Sequence, residues 1–338
     1  MIVVTGGTGL VGAHLLYDLC LKHDRVRAIK RINSDINQVK KTFAYYSNDY
    51  ENLFNKIEWL DGDIDDFYSL EEAFEGAEYV YHSAAMVSFR QEDDSRMQEV
   101  NVKGTANVVN AALYRNVKKL CHVSSIAALG HSEKGQLITE ETPWKGFANR
   151  SAYSISKYNS ELEVWRGIEE GLNAVIVNPS IILGPTKWDS GSARLFTQVY
   201  KGLNFYTLGT NGFVYVRDVS RAMIELTESK MNAQRFTLNS ENISYQTLLN
   251  LIAINLGKTP PKIAVKPWMS ELSWRLLKVY ALLSGTEPLI TKATARSSRQ
   301  INLLSNQKIK ETLNFNFVST EEMIKISAQH FLADHESK

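Results

Sequence analysis

Two Tyr-x-x-x-Lys pairs stand in the sequence, Tyr114 with Lys118 and Tyr153 with Lys157. On a helix, a spacing of four puts the phenol and the ammonium on one face, a turn apart. A free phenol, with a pKa of about 10, moves protons poorly at neutral pH. A cation beside it favours the phenolate and brings its pKa toward the working range. Such a pair can pass a proton to and from a substrate oxygen, and a serine hydroxyl at the end of a neighbouring strand, Ser125, can hold that oxygen in place. Metal chemistry is not expected, because the seven histidines show neither H-E-x-x-H nor H-x-x-E-H spacing. Cys20 and Cys121 offer no disulfide framework and read as core thiols.

The elements that must position these groups begin at residue 2. Ile2, Val3 and Val4 form an apolar, β-branched run of the kind buried on both faces of a parallel sheet. Gly6, Gly7, Gly9 and Gly12 then give a tight turn, and Leu10, Val11, Ala13, Leu15, Leu16 and Leu19 open a helix whose amides point back at it. The spacing satisfies G-x-G-x-x-G, and the strand–turn–helix context makes it a dinucleotide-binding turn. Further strands are predicted at 26–30, 57–60, 79–82, 120–124 and 174–178. Helices are predicted at 69–74, 95–114 and 152–170, with a polar, aromatic excursion over 34–55. This βα alternation implies an α/β, doubly wound parallel sheet. Ligands bind such sheets beyond the carboxyl ends of the strands. That rule gathers the glycine turn, Asp63, residues 82–85, Ser124–Ser125 and 178–180 on one edge. It also places Tyr153 and Lys157 there, and it sends Tyr114 and Lys118 to the opposite, amino edge.

After Pro179 the loops lengthen, short strands at 213–216 and 235–238 mix with helices, and helices at 268–283 and 320–332 dominate the end. The division expected is a dinucleotide-binding domain over 1–182 plus about 212–240, with a smaller, mainly helical substrate cap over 183–211 and 241–338. The 268–283 helix reads as a packing face. The chain of 338 residues is 44% hydrophobic and 22% charged, with a formal net charge of +1. That balance gives no reason to expect nucleic acid or an anionic membrane as partner. No apolar run is long enough to span a bilayer, and a strand starting at residue 2 leaves no signal peptide, so a cytoplasmic location is expected. Where NAD enzymes carry an acidic residue for the ribose 2′-hydroxyl, about twenty positions past the glycines, this chain has Lys30 and Arg31, with no carboxylate until Asp35. Two cations suit a 2′-phosphate, so NADP(H) is expected in preference to NAD(H).

The segments TGGTGLVG (5–12), GDIDD (62–66), HSAA (82–85), NVKGTANVVNAA (101–112), VSSIAALG (123–130), YSISK (153–157) and NPSIILGP (178–185) together resemble the extended short-chain dehydrogenase/reductase family. The VYVRDVSRA segment (214–222) resembles its dihydroflavonol reductase and 3β-hydroxysteroid dehydrogenase branch. The resemblance implies Ser125 as the catalytic serine, Tyr153 as proton donor or acceptor, Lys157 as its partner and holder of the nicotinamide ribose, and Asn101 as a supporting residue. It further implies Asp63 on the adenine amino group, with Ile64 against the ring. The remaining cofactor contacts are expected from Gly6, Gly9, Leu10, Val11, Gly12, Lys30, Arg31, Ser83, Ala84, Ala85, Pro179, Ile181 and Ile182. The reaction implied is hydride transfer between nicotinamide and a carbonyl or secondary alcohol. Dehydratases that this chain resembles place an Asp-Glu pair directly after the catalytic hydroxyl residue, whereas Ile126 and Ala127 stand here. A nucleotide-sugar epimerase with tightly held NAD and a non-catalytic dinucleotide sensor are the competing readings. Met86, Val87, Phe89, Phe147 and Ile182 suit either a pocket or the core, and Lys187, Arg194 and Arg217 either an anion site or the surface. A homodimer through a helix bundle is implied by the resemblance alone.

Overall fold

Seven strands pair in parallel into one sheet in the computed structural model, which describes residues 1–131, 135–147, 150–266, 268–269, 274–275 and 298–336. In chain order the first are β1 (Ile2–Thr5), β2 (Val26–Lys30), β3 (Ile57–Asp61), β4 (Tyr79–His82) and β5 (Lys119–Val123). A short β6 (Leu137–Ile138) lies apart, and β7 (Ala174–Pro179) rejoins the sheet. After β8 (Ile181–Leu183), β9 (Phe205–Tyr206) and β10 (Thr210–Tyr215) comes β11 (Gln234–Leu238), the edge strand. The spatial order is β11-β7-β5-β4-β1-β2-β3, so the direction of winding reverses between β1 and β4. That reversal opens a crevice at the carboxyl ends, where the α/β sheet must bind its ligands.

The strands read as continuous apolar runs because helices cover both faces. Every residue of β1, β5 and β7 is buried. One face packs Leu15, Leu16 and Leu19 of the helix Leu10–Lys22 with Met223 and Phe236. The other packs Val108 and Ala112 with Val164 and Phe74. Cys20 and Cys121 lie unpaired in the first of these cores. A third core joins Trp188, Phe196, Leu248 and Phe331 beneath a small sheet in which β12 (Glu241–Ser244), β10 and β8 are neighbours.

Several predicted elements differ in detail. The single helix expected over 95–114 is an α-turn (Asp94–Gln98), a wide five-residue π-turn (Glu99–Lys103) and an α-helix (Gly104–Tyr114). The Thr105 hydroxyl donates to the Asn101 carbonyl at 2.6 Å, inserting a side chain into the backbone ladder at that point. The 34–55 excursion contains two helices, Ile36–Ala44 and Tyr50–Phe54. The first is capped by the Asp35 carboxylate, which accepts from the Asn37 amide at 3.1 Å. The strand expected over 213–216 runs Thr210–Tyr215, and Val216 opens a helix instead. The helix expected over 268–283 lies almost wholly outside the described residues. Among the described residues no helix is long and apolar enough to cross a membrane, and no cluster of His, Cys, Asp and Glu could hold a metal ion.

Candidate active site

The glycine turn is shaped by two close backbone approaches. Gly6 has φ +71°, and a Cβ there would lie 2.5 Å from the Ala84 amide nitrogen. A Cβ on Gly12 would come within 2.1 Å of the Gly6 carbonyl oxygen. Side chains are thus excluded where the chain folds back on itself. Gly9 caps the helix Leu10–Lys22 with no side chain on its first amides and no acidic residue in its first turn. Those amides and the positive end of the helix dipole are what could hold a pyrophosphate. Ser83 and Ala84 pack on the turn, the Ser83 hydroxyl donating to the Thr5 carbonyl at 2.7 Å.

Beside the turn lies a cavity of about 410 Å³ lined by Thr8, Gly9, Leu10, Arg31, Asn33 and Ser34, with Lys187 and Ser192 opposite. The two cations predicted for this end of β2 diverge. Lys30 is taken by Asp61 on β3, whereas Arg31 is exposed and faces the cavity. Asp35, the first carboxylate after them, is engaged by Lys187 at 3.1 Å. Asp63 turns one carboxylate oxygen to the Asp65 amide at 3.2 Å. Ile64 is buried against Gly104, as part of the core rather than of an open surface. Pro179 is buried at the end of β7, and Ile181 and Ile182 lie half-buried along the third core. Arg217, a candidate anion ligand in the sequence, is bound to Asp18 and stacks over the Tyr46 ring at 4.7 Å.

Tyr153 is the second residue of the helix Ala152–Glu169, whose first turn Ser151 caps by accepting from the Ser154 amide at 3.1 Å. Burial raises the phenol above its usual range, and the Ser125 hydroxyl partly offsets this by favouring the ionised form. Ser125 itself is fixed by accepting from the Ala127 amide at 3.1 Å. Lys157 follows one turn after Tyr153, only 4% exposed, and donates to the Val123 carbonyl at 3.0 Å. Burial pushes its ammonium down to about 8, with Glu161 as the counterweight. The ammonium was expected to act chiefly by making the phenol acidic. In the structure it is tied to the end of β5, and the phenol's largest influence is its own burial. Phe89 lays its ring against Tyr153, centroids 5.8 Å apart, and is 44% exposed.

Asn101 lies in the π-turn. Its amide oxygen accepts from the Met86 amide at 2.7 Å, and its nitrogen donates to the Met86 carbonyl and to Ser156 Oγ, both at 2.9 Å. It therefore joins the 82–86 segment to the helix that carries Tyr153. Tyr114 is 64% exposed and Lys118 pairs with Glu78, so the second Tyr-Lys pair lies on the surface.

Sequence reasoning passed over the groups beneath this constellation. Glu161, one turn beyond Lys157, is 2% exposed and bound by Arg235, Ser124 and Asn178. Its place at the fourth position after Lys157 was visible as a shared helix face, but a carboxylate at helical spacing is ordinarily solvated. Only the tertiary position of Arg235, on a strand 74 residues later in the chain, shows that it is not.

A sheet with its glycine turn at the winding reversal, and Ser125, Tyr153 and Lys157 gathered on the same edge, is the architecture of a dinucleotide-binding α/β enzyme. The chain belongs to the NAD dependent epimerase/dehydratase family, whose model matches residues 2–238. Sterol demethylase protein B of Methylococcus capsulatus is 29% identical over 304 residues, 89% of this chain and 85% of that protein. Cinnamoyl-CoA reductase 1 of Petunia hybrida is 27% identical over 290 residues, 83% of each chain. The crystal structure of gox2253 superposes with a TM-score of 0.81 at 28% identity, covering 99% of this chain and 98% of that one. With the matched family and these relatives, the chain is an enzyme of the extended short-chain dehydrogenase/reductase group.

Proposed function

We propose that the protein is an NADP-dependent carbonyl reductase or alcohol dehydrogenase acting on a small to medium, partly apolar substrate. The observation that carries this reading is the Ser125 hydroxyl acting on the Tyr153 phenol, with the buried Lys157 a turn away. A carbonyl oxygen seated there would accept from both hydroxyls, and Tyr153 would deliver the proton as charge develops on that oxygen. The Lys157 ammonium, a turn away, would help stabilise the phenolate left behind until it is reprotonated. A bound nicotinamide would supply the hydride. The residues present fit such a cofactor: the uncapped helix start at Gly9 for the pyrophosphate and Arg31 for a 2′-phosphate. Phe89, exposed against Tyr153, favours an apolar group on the substrate.

The division of labour that follows gives residues 1–182 and about 212–240 to the cofactor, and 183–211 and 241–338 to the substrate. Epimerase is one of the two activities in the family's name, and a nucleotide-sugar epimerase would need NAD that stays bound through turnover. The missing carboxylate at the end of β2 speaks against it. The test is NADPH oxidation followed at 340 nm across a panel of aldehydes, ketones and sterols, with NADH in parallel. Turnover with NADPH is expected; cofactor that co-purifies on gel filtration, with no turnover of any carbonyl, would overturn the reading.

A further inference from the structure

Behind the reacting groups, three successive residues at the end of β5 are each tied to the catalytic helix or to a residue bound by it. Val123 accepts through its carbonyl from Lys157 Nζ at 3.0 Å. The Ser124 hydroxyl donates to Glu161 Oε2 at 2.7 Å. The Ser125 carbonyl accepts from Asn178 Nδ2 at 3.0 Å, and the same nitrogen donates to Glu161 Oε2 at 2.9 Å. The second carboxylate oxygen accepts from Arg235 Nη1 at 2.8 Å and from Trp165 Nε1 at 3.3 Å. Both oxygens of one buried carboxylate are thus fully occupied, by groups from the helix, from β7 and β11, and from Ser124 just past β5.

A buried charge costs far more than a neutral group unless every lone pair is used, so an apolar side chain would hold this packing with less expense. We infer that Glu161 is a positioning residue: it clamps the strand end that carries Ser125 against the helix that carries Tyr153, and holds its charge one turn below Lys157. This inference rests on the reductase reading for its chemistry and on the geometry alone for the clamp. Lys157 is faced by Tyr153 and Glu161 on its own helix, by His122 on β5 and His82 on β4, and by Arg235 on β11 through Glu161. Glu161 is the anion among them, and both histidines are held neutral by burial.

The substitution Glu161→Gln keeps the shape and removes the charge. Two readouts follow it. In protein carrying 13C-labelled lysine, the Cε signal of Lys157, identified by its loss in Lys157→Met, reports its titration with neither substrate nor cofactor. Its midpoint is expected to move toward acid by about one pH unit, the effect of losing an opposite charge at this range. In turnover, kcat is expected to fall about tenfold with KM little changed, and the alkaline limb of the pH–rate profile is expected to move in the same direction. An unmoved Lys157 midpoint with wild-type kcat overturns the inference. Should Glu161→Gln not fold, Glu161→Asp decides: the retained charge predicts a near wild-type midpoint with lowered kcat, and a kcat equal to wild type overturns the clamp. Failure of the wild type to reduce any carbonyl sinks the reductase reading instead, and the Lys157 titration then decides the inference by itself.

Discussion

Gly12 stands so near Gly6 that a Cβ on the former would lie 2.1 Å from the carbonyl oxygen of the latter, with Gly7 Cα 2.8 Å away. Backbone on both sides cannot yield as a side-chain tip can. Gly12→Ala should therefore push the turn open, costing about 1–3 kcal/mol of stability and weakening NADPH binding. Thermal melts and quenching of NADPH fluorescence check both effects, and unchanged cofactor affinity would mean that the turn does not hold the cofactor.

Tyr153→Phe removes the hydroxyl on which Ser125 acts and leaves the ring against Phe89. Turnover should drop by about 10²- to 10⁴-fold, the usual worth of a positioned general acid, with cofactor affinity nearly intact. Steady-state rates and NADPH titration of the same preparation separate the two, and undiminished turnover would remove the phenol from the mechanism.

Arg31 is the cation at the end of β2 that reaches the cavity beside the glycine turn, because Lys30 is engaged by Asp61. Arg31→Ala should cost NADPH the charge-assisted bonds to its 2′-phosphate, about 1.5–3 kcal/mol, and leave NADH affinity where it was. Lys30→Ala should do much less. Equal losses for the two cofactors would locate the preference elsewhere.

Burial pushes His14 and His82 down to about 3 and holds His122 far below its ordinary value. In the unfolded chain they bind protons near pH 6.5, so between that value and about 3 the unfolded state takes up more protons and stability falls with falling pH. His82, whose ring nitrogens meet the Thr5 and Thr105 hydroxyls at 2.8 and 3.0 Å, is the member accessible to test. Urea unfolding of His82→Asn at pH 7 and pH 4.5 should show a shallower loss of stability than the wild type; an equal slope would assign the acid sensitivity to other groups.

The sheet could be read from the sequence because its signals are local: a buried strand is a short apolar run, and Gly12 must be glycine because of Gly6 and Gly7 within the same seven residues. The carboxyl-edge rule then separated Tyr153 from Tyr114 without coordinates. What stayed hidden depends on tertiary partners. Lys30 and Arg31 look alike in the chain, and only Asp61, on the neighbouring strand, tells them apart. The helix over 95–114 has an uninterrupted helical pattern, and its wide turn becomes visible only when Asn101 is seen bridging Met86 and Ser156. Lys157 was assigned to the phenol by its spacing, yet its nearest acceptor is a carbonyl of β5, a contact that spacing along one helix cannot reveal.

The wide turn at Glu99–Lys103 also sets where Asn101 sits relative to Met86 and Ser156. A π-turn holds one residue more than the α-helix around it, so shortening the chain there by a single amino acid would restore a regular spiral. Thr105 and Val108 could keep their seats in the interior, while the amide of Asn101 would swing through roughly a quarter of a revolution, given about 100° per residue. The Met86 loop would lose its anchor although the core stayed shut. A one-codon deletion could thus yield a sound scaffold with an idle centre, a route to loss of activity that leaves the architecture untouched.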